Sequence, residues 1–447
     1  MPYKASDRTS RGFRLIAATL AVSGFSFYQQ ACAFTATNEF PRLGGTKISA
    51  PQNYGDPAIQ SQLAKLDFLI VEFTPGWGGG GIAMRNAVRA IKAKNPDIVI
   101  VDYCAFDSVP QSSGLVSKLL RDKLATQGWY LYRSGSGGTI VRGGPRLAIN
   151  VTSFVRPDAA GNRWYNWFAK HQFEQVWRHI PELDGTFTDS FLWKPAVVGD
   201  WNRDGRADSP NDPAVGTWWR KGMMAHVNQM KALMPGKLMM GNLGRSGVPD
   251  AVNTEYQGQL HGGVLERYIG ETWSAEGLDM NGVLRAGSWK TMMNRYRKVM
   301  AMLAAPRILN FGMKGKPTDY KTFRYGFASA LMDNAYFDFA DGTGGSLFSP
   351  KKVPWFDEFD LAGKADTKWL GTAVDAPPTS PWQNGVYRRR FKNGMALVNP
   401  RGNGSWTVTI EPGYRRFLGN QDRVVNNGNP ATSITLKDRD GILLMKN

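Results

Sequence analysis

Short apolar runs recur along most of the chain, and segments with helical periodicity such as 81–95 and 167–180 separate them. The apolar runs are continuous rather than alternating, which is typical of strands covered on both faces in a parallel sheet. Eight such strands alternating with helices predict a (β/α)8 TIM barrel over residues 61–375. The runs are FLIVEF (68–73), IVIVDY (98–103), RLAINV (146–151), GTFTDS (185–190), KLMMGN (237–242), GGVLER (262–267), RILNFG (307–312) and AYFDFA (335–340).

The pattern changes near the C terminus. Residues 385–400, 405–412 and 441–447 are short strand-like stretches broken by glycine-rich turns, and Asn393-Gly394 is a hairpin signal. This predicts a small antiparallel β-domain over 376–447, whereas residues 34–60 are expected to be an irregular lead-in to the barrel.

The first 33 residues have the pattern of a signal peptide. A basic start is followed by the apolar run LIAATLAVSGFSF and by Ala31 and Ala33 in an A-x-A arrangement. We expect cleavage after Ala33 and a secreted or periplasmic protein, with an uncleaved N-terminal anchor as the alternative. No later run reaches the ~20 apolar residues of a spanning helix, so no membrane span is expected after cleavage.

The chain is strongly basic, with 55 Lys and Arg against 37 Asp and Glu and a formal net charge of +18. This favours anionic partners, and we expect an acidic polysaccharide or an envelope surface. Nucleic acid is not expected, because the basic residues form no nucleic-acid motif. The simpler alternative is a generally basic surface. Cleavage would leave Cys104 as the single cysteine, and we expect a buried, inert thiol.

Polar side chains stand at nearly every predicted strand end, and the active sites of barrel enzymes form at that end. Carboxylates and amides in this number suit a ligand rich in hydroxyl groups, such as a sugar. Tryptophans in the following loops offer flat faces for stacking on sugar rings. The candidate substrate-binding residues are Glu72, Trp77, Asp102, Asn150, Trp193, Asn242, Trp273 and Asp338.

Asp189 and Glu266, at the ends of predicted strands four and six, are the candidate catalytic pair. Glycoside hydrolysis usually needs one carboxyl group that protonates the leaving oxygen and another that attacks or activates water. Asp189 is assigned as nucleophile or base and Glu266 as general acid. The alternatives are that Asp189 only caps a loop and that Glu266 is an ion-pair partner.

The stretch GDWNRDGRADSPND (199–212) resembles the front half of a calcium loop. Its glutamate at position twelve is missing, and an unoccupied acidic turn is the alternative. No zinc, phosphate-loop or dinucleotide pattern occurs, so no organic cofactor is expected. The expected ligands of a structural Ca²⁺ are Asp200, Asn202, Asp204, the Arg206 carbonyl, Asp208 and Asp212.

Five segments in order resemble the hypothetical glycosyl-hydrolase-like family fifteen, from about Leu66 to the C terminus. They are FTDSFLWKP, GDWNRDG, GGVLERY, WFDEFDLAGKA and GVYRRRFKNGMALVNP. The resemblance implies a barrel with a C-terminal β-domain and glycosidase activity, and it places Asp189 and Glu266 at matching motif positions. The DEFDLAG segment (357–363) is expected to close the site or to join the domains.

Together these patterns predict an exported glycoside hydrolase that acts on a polysaccharide or oligosaccharide. The alternatives are a non-catalytic glycan-binding protein and a polysaccharide-assembly protein on a barrel scaffold. The sequence leaves open the sugar, the linkage, endo or exo action, retention or inversion, and the oligomeric state.

Overall fold

The structure is a computed structural model that describes residues 37–48, 51–75, 81–112, 114–135, 138–244, 255–271, 274, 276–278, 283, 288–342 and 353–447. The predicted signal segment 1–33 lies outside these residues, as do Trp77 and Trp273.

The elements of the described residues are numbered in chain order. The strands are β1 (Glu39–Phe40), β2 (Gly44–Thr46), β3 (Phe68–Val71), β4 (Val99–Cys104), β5 (Ser108–Pro110), β6 (Arg142–Gly143), β7 (Arg146–Ala148), β8 (Gly185–Thr188), β9 (Leu238–Asn242), β10 (Gly262–Ile269), β11 (Ile308–Gly315), β12 (Tyr336–Asp341), β13 (Gly371–Thr372), β14 (Tyr387–Phe391), β15 (Gly394–Asn399), β16 (Trp406–Thr409), β17 (Tyr414–Arg416), β18 (Ser433–Leu436) and β19 (Asp440–Lys446). The helices are α1 (Pro51–Tyr54), α2 (Pro57–Leu63), α3 (Gly81–Lys94), α4 (Leu115–Gln127), α5 (Trp164–Gln175), α6 (Pro213–Leu233), α7 (Trp289–Met302), α8 (Tyr320–Leu331) and α9 (Asp357–Asp360).

Eight parallel strands form the central sheet, in the order β2-β3-β4-β8-β9-β10-β11-β12. A parallel bridge between Leu43 and Phe337 joins the two edges, where the Phe337 amide donates to the Arg42 carbonyl at 2.9 Å. The sheet therefore closes, and the predicted (β/α)8 barrel is confirmed.

Two strand predictions within the barrel are wrong. The segment 146–151 does not enter the barrel, because its residues Arg146–Ala148 pair antiparallel with β5 and β6 in a small side sheet. The missing barrel strand is Gly44–Thr46, which pairs with Phe68–Ile70 and lies in the segment expected to be an irregular lead-in. The sequence of this strand, Gly-Gly-Thr, contains no apolar run, so the search for apolar runs does not detect it.

Helix starts follow the expected capping chemistry. Asp56 accepts a hydrogen bond from the Ala58 amide at 2.8 Å and precedes Pro57, while Ser288 caps α7 by accepting from the Thr291 amide at 3.1 Å. Both caps satisfy amide groups that a helix leaves unpaired at its first turn. These caps fix where α2 and α7 begin, whereas α4 and α5 start without a side-chain cap.

Alternate residues of each barrel strand belong to different cores. An inner cluster made only of strand side chains fills the barrel, for example Val99 and Val101 of β4. Ile100 and Cys104, which alternate with these residues on β4, belong instead to the large cluster shared with the helices. Because side chains alternate with a period of two, this parity decides which strand-end residues face the mouth of the barrel.

The antiparallel C-terminal sheets predicted from the sequence are present, as β14-β15-β19-β17 and β16-β18. They pack on the barrel through Arg389, which is 2% exposed and donates to the carbonyls of Leu331 at 3.0 Å and Asp333 at 2.6 Å. The Glu276 carboxylate, 0% exposed, forms a second link through a bidentate contact with Arg439 at 2.8 and 3.0 Å.

The DEFDLAG segment forms α9 and contacts the C-terminal part of the chain. Asp357 accepts from the Gln421 amide at 2.7 Å, and Glu358 accepts from the Asn426 side chain at 2.7 Å. Of the two roles expected for this segment, these contacts fit the joining of domains.

Cys104 is buried on β4, as expected, and burial raises the pKa of its thiol. Among the described residues, no helix combines the length and apolar character that crossing a membrane requires.

Candidate active site

A cavity of about 260 Å³ opens at the C-terminal ends of the barrel strands. Its lining mixes carboxylates and an amide with apolar groups such as Phe187, Val264 and Met313. The sequence-predicted residues Asp189, Glu266, Asn242 and Asp338 all line it. The strand-end rule therefore brings four of its seven candidates into one cavity.

Asp189 follows β8 and is held from several sides. Its Oδ1 accepts from the Ser190 amide at 2.7 Å and from Asn242 Nδ2 at 2.9 Å, and its Oδ2 accepts from the Tyr103 hydroxyl at 2.6 Å. Ser190 has φ 54°, a left-handed conformation that costs a non-glycine residue energy and is concentrated at functional sites. The alternative of a simple loop cap accounts for the Ser190 contact but not for those from Tyr103 and Asn242.

Glu266 lies on β10 where the strand pairing is interrupted. The register with β11 shifts between Leu265 and Ile269, and Arg267 has φ 46°. Bulges of this kind re-aim side chains at barrel rims. The Glu266 side chain keeps 32% of its surface exposed in the cavity, and its Oε1 lies 3.5 Å from Arg267 Nε. The predicted ion pair with Arg267 is thus present alongside the placement of Glu266 in the cavity.

Asn242 connects the two carboxylates. Its Nδ2 donates to Asp189 Oδ1 at 2.9 Å and to Glu266 Oε2 at 3.1 Å. Its Oδ1 accepts from the Gly244 amide at 2.9 Å, which fixes the orientation of the side-chain amide. Asn242, predicted as a sugar ligand, therefore already uses both ends of its amide within the protein.

Tyr103 is a site residue that the sequence analysis missed. It lies in the cavity beside Phe187, with ring centroids 6.1 Å apart. Burial and the neighbouring Asp189 charge raise the pKa of its hydroxyl, so it stays a hydrogen-bond donor at neutral pH. Strand parity gives the signal, because Val99 and Val101 point inward and Tyr103 follows in the same register.

Two further carboxyl groups interact with Asp189 electrostatically. Burial raises the pKa of Glu72, Arg146 lowers it, and the Asp189 charge raises it again. Burial, followed by the charge of Asp189, raises the pKa of Asp107 to about 6. Asp107 was not among the predicted site residues, because it lies past the end of its strand. Glu72, a predicted sugar ligand, is not among the residues that line the cavity, although it lies within electrostatic range of Asp189.

Asp338 lines the cavity, but much of its carboxylate is engaged by the protein. Its Oδ2 accepts from the Thr46 amide at 2.9 Å and from Asn310 Nδ2 at 3.0 Å, while Lys47 Nζ lies 3.8 Å from Oδ1. It ties the last barrel strand to the first at the mouth, and it presents at most one free oxygen to a ligand.

Asp102 and Asn150 do not reach the cavity, and their assignment to substrate binding is corrected here. Asp102 is 0% exposed and accepts from the Phe73 amide at 2.8 Å and from Trp177 Nε1 at 2.7 Å. It faces the helices because it alternates with the inward-facing Val101. Burial raises its pKa strongly, and these hydrogen bonds lower it.

Asn150 is likewise 0% exposed and serves the chain itself. It donates to the Trp201 carbonyl at 3.0 Å and accepts from the Thr152 hydroxyl at 2.7 Å. It therefore fastens the loop after β7 to the predicted calcium loop rather than facing a sugar.

Of the three tryptophans predicted to stack on sugar rings, Trp193 is the one that lies within the described residues. Trp193 is partly buried and packs against Tyr256 with ring centroids 5.1 Å apart, and Arg220 lies over its ring at 5.8 Å. It does not line the cavity. Trp77 and Trp273 lie outside the described residues, so their stacking role stays a prediction.

The predicted calcium loop folds as a series of tight polar turns. Asp200 Oδ2 accepts from the Gly205 amide at 3.1 Å, Asn202 Oδ1 from the Asp204 amide at 3.0 Å, and Asp204 Oδ1 from the Arg206 amide at 2.8 Å. Asp208 Oδ2 accepts from the Trp201 amide at 2.8 Å, and burial raises its pKa.

Whether these residues suit a cation can be tested on their free donor atoms. Asp200 Oδ1 is buried without a hydrogen-bond partner, which fits a hard cation. Asp212 instead caps α6 by accepting from the Ala214 amide at 2.8 Å, so its assignment as a ligand is corrected. In the described part of the chain, no three His, Cys, Asp or Glu side chains are grouped as metal ligands. Calcium therefore stays a prediction that rests on the motif and on Asp200.

The cavity lies at the C-terminal ends of the strands of a closed parallel barrel, which is where barrel enzymes form their active sites. The chain belongs to the hypothetical glycosyl hydrolase family 15, and the match spans residues 92–395. The predicted family is confirmed.

Among solved structures, the chain is similar to an α-amylase from Lactobacillus plantarum, with 10% identity and a TM-score of 0.49 over 91% of this chain and 98% of that one. An α-amylase of Anoxybacillus gives 10% identity and a TM-score of 0.45 over 92% and 98%. The cycloalternan-degrading enzyme from Trueperella pyogenes gives 11% and 0.44 over 92% and 63%. Similarity at this level concerns the fold alone. Comparison with curated proteins gave no match.

Proposed function

We propose that this chain hydrolyses glycosidic bonds in a polysaccharide or oligosaccharide by a two-carboxylate mechanism. The observation that supports this most directly is the pair Asp189 and Glu266 in one cavity, both hydrogen-bonded to Asn242. Two carboxyl groups across one bond are what glycoside hydrolysis usually requires.

The surroundings of the two carboxyl groups favour different roles. Asp189 accepts three hydrogen bonds, including a charge-assisted contact with Tyr103 at 2.6 Å, and this holds it in place as nucleophile or base. Glu266 keeps 32% of its side chain exposed, so it can approach both the leaving oxygen and water as the general acid.

Export and a preference for acidic glycans are further parts of this proposal. Export rests on the signal pattern of residues 1–33, and acidic glycans on the net charge of +18. The mass and N-terminal sequence of the protein recovered from the periplasm or medium test export. We expect a mature chain that begins at Phe34, and retention of residues 1–33 would contradict cleavage.

The test of activity uses a panel of neutral and acidic polysaccharides and measures new reducing ends and oligosaccharide masses. We expect product from the native protein and none from Asp189→Asn. Glu266→Gln should lower the rate by about 10²–10⁴-fold, the usual contribution of general acid–base catalysis.

Asp97→Asn is the matched control for this experiment. Asp97 is exposed and precedes β4, at the end of the barrel opposite the cavity. Asp97→Asn makes the same chemical change as Asp189→Asn and should leave the rate of hydrolysis unchanged. No product on any glycan, together with tight binding by both the native protein and Asp189→Asn, would contradict hydrolysis and favour the glycan-binding alternative.

A further inference from the structure

We infer that Asn242 sets the spacing of the two carboxylates and that hydrolysis proceeds with retention of anomeric configuration. This inference rests on the proposed function and extends it to stereochemistry. It starts from a single nitrogen atom, Asn242 Nδ2, which donates to Asp189 Oδ1 and to Glu266 Oε2.

The geometry of that nitrogen limits how far apart the carboxylates can be. The two hydrogen bonds measure 2.9 and 3.1 Å, so their acceptor oxygens are separated by no more than about 6.0 Å. A side-chain amide carries two N–H bonds about 120° apart, and directing one at each oxygen gives a separation of about 5 Å.

That separation distinguishes the two classes of mechanism. Retaining enzymes hold their carboxyl groups about 5–5.5 Å apart, whereas inverting enzymes leave about 6.5–9.5 Å for an intervening water. The separation of about 5 Å between Asp189 Oδ1 and Glu266 Oε2 lies in the range of the retaining class and below that of the inverting class. The spacing therefore matches direct attack by a carboxylate.

The orientation of Asn242 is fixed from behind. Its Oδ1 accepts from the Gly244 amide at 2.9 Å, so the nitrogen must face the carboxylates. Gly244 has φ 68° and is the second residue after β9. The bridge is thus set by backbone geometry rather than by the carboxylates alone.

The two chemical steps follow from this arrangement. Asp189 attacks the anomeric carbon and forms a glycosyl ester, while Glu266 gives its proton to the departing glycosidic oxygen. Glu266, now ionised, takes a proton from water, and that water attacks the anomeric carbon. The ester bond breaks, Asp189 leaves as a carboxylate, and two displacements restore the original configuration.

The test follows the first-formed anomer by proton NMR, with the purified native protein and the glycan that gives most product in the panel above. Retention means that the released sugar has the same anomeric configuration as the bond cleaved. An inverted first product would overturn this inference and leave hydrolysis itself intact. No hydrolysis of any glycan would overturn the proposed function, and the inference with it.

Variants of Asn242 test its positioning role. Asn242→Asp keeps an oxygen for the Gly244 amide but removes the donor and adds a negative charge beside Asp189 and Glu266. We expect kcat to fall by about 10–100-fold, with KM changed less than threefold, and the acid limb of the pH–rate profile to move upward. Asn242→Ala should lower kcat and move that limb upward by less, because it removes the donor to Asp189 without adding a charge. An unchanged kcat in both variants, with melting temperatures close to native, would overturn the positioning role.

Discussion

The Tyr103 hydroxyl donates a hydrogen bond to Asp189 Oδ2 across a distance of 2.6 Å. The two residues come from neighbouring strands of the barrel, β4 and the end of β8, which pair in parallel register at Tyr103 and Phe187. Tyr103 is thus the register partner of Phe187, and its hydroxyl holds the carboxylate of Asp189, two residues after Phe187.

Removing this hydroxyl tests its importance. We expect Tyr103→Phe to lower kcat/KM by about 10–100-fold, because hydrogen bonds to charged groups contribute about 1.5–3 kcal/mol. Steady-state kinetics on the glycan identified above measure the change. Tyr130→Phe is the matched control, since Tyr130 donates to the Arg121 carbonyl at 3.1 Å outside the cavity. Equal rates for the two variants would contradict a role for Tyr103.

Asp107 should make stability depend on pH. Burial and the Asp189 charge raise its pKa to about 6 in the folded protein, against about 3.9 in an unfolded chain. Its contribution to the free energy of unfolding is therefore complete below about pH 4 and is lost as the pH rises through about 6.

Asp107→Asn removes this titration. We expect its melting temperature, relative to the native protein, to be higher at pH 7.5 than at pH 4, because native Asp107 must carry a charge only at the higher pH. Thermal unfolding followed by circular dichroism at the two pH values measures the difference. The same offset at both pH values would contradict a raised pKa.

Calcium binding to the loop 199–212 can be separated from helix capping. We expect added Ca²⁺ to raise the melting temperature of the native protein and chelation to lower it, since a ligand that binds the folded state stabilises it. Asp200→Ala should abolish the response, because Asp200 Oδ1 is the buried oxygen without a partner.

Asp212→Asn is the control for that experiment, because asparagine caps helices about as well as aspartate. It should leave the calcium response unchanged, as expected for a residue that caps α6. A native protein that melts at the same temperature with calcium and with chelator would contradict the site.

The buried link between Glu276 and Arg439 should carry much of the stability between the barrel and the C-terminal sheets. We expect Arg439→Gln to lower the free energy of unfolding by about 3–5 kcal/mol, because it leaves a buried carboxylate without its partner. Denaturant titration measures this change.

Two further variants define the origin of that loss. Glu276→Gln combined with Arg439→Gln should recover part of it, since no unpaired charge then remains. Arg390→Gln, at a pair with Asp375 in which the arginine side chain is 42% exposed, should cost only about 0–1 kcal/mol. Equal losses at Arg439 and Arg390 would contradict the role of burial.

Apolar periodicity predicted seven of the eight barrel strands, because strands buried on both faces must be apolar throughout. It missed Gly44–Thr46, where backbone pairing alone makes the strand, and it assigned 146–151 to the barrel because an apolar run does not specify its partner.

The same limit explains the wrong assignment of Asp102 to substrate binding. Its position near a strand end was correct, but the inward-facing residue of that strand is Tyr103. Parity is readable from the sequence once one inward residue is known. The bridge through Asn242 depends on three strands meeting in space, and no spacing along the chain reveals it.

The contact between Leu43 and Phe337 has a practical consequence for anyone who trims this protein. The family match begins at residue 92, yet two strands of the barrel, β2 and β3, precede it. A fragment cut at that boundary would expose the unpaired edges of β4 and β12, and open sheet edges recruit other chains into aggregates. If such a fragment were insoluble, the cause would be the loss of β2 and β3 and not a property of the whole protein. A fragment that keeps the barrel closed must begin before Leu43 and continue through β19.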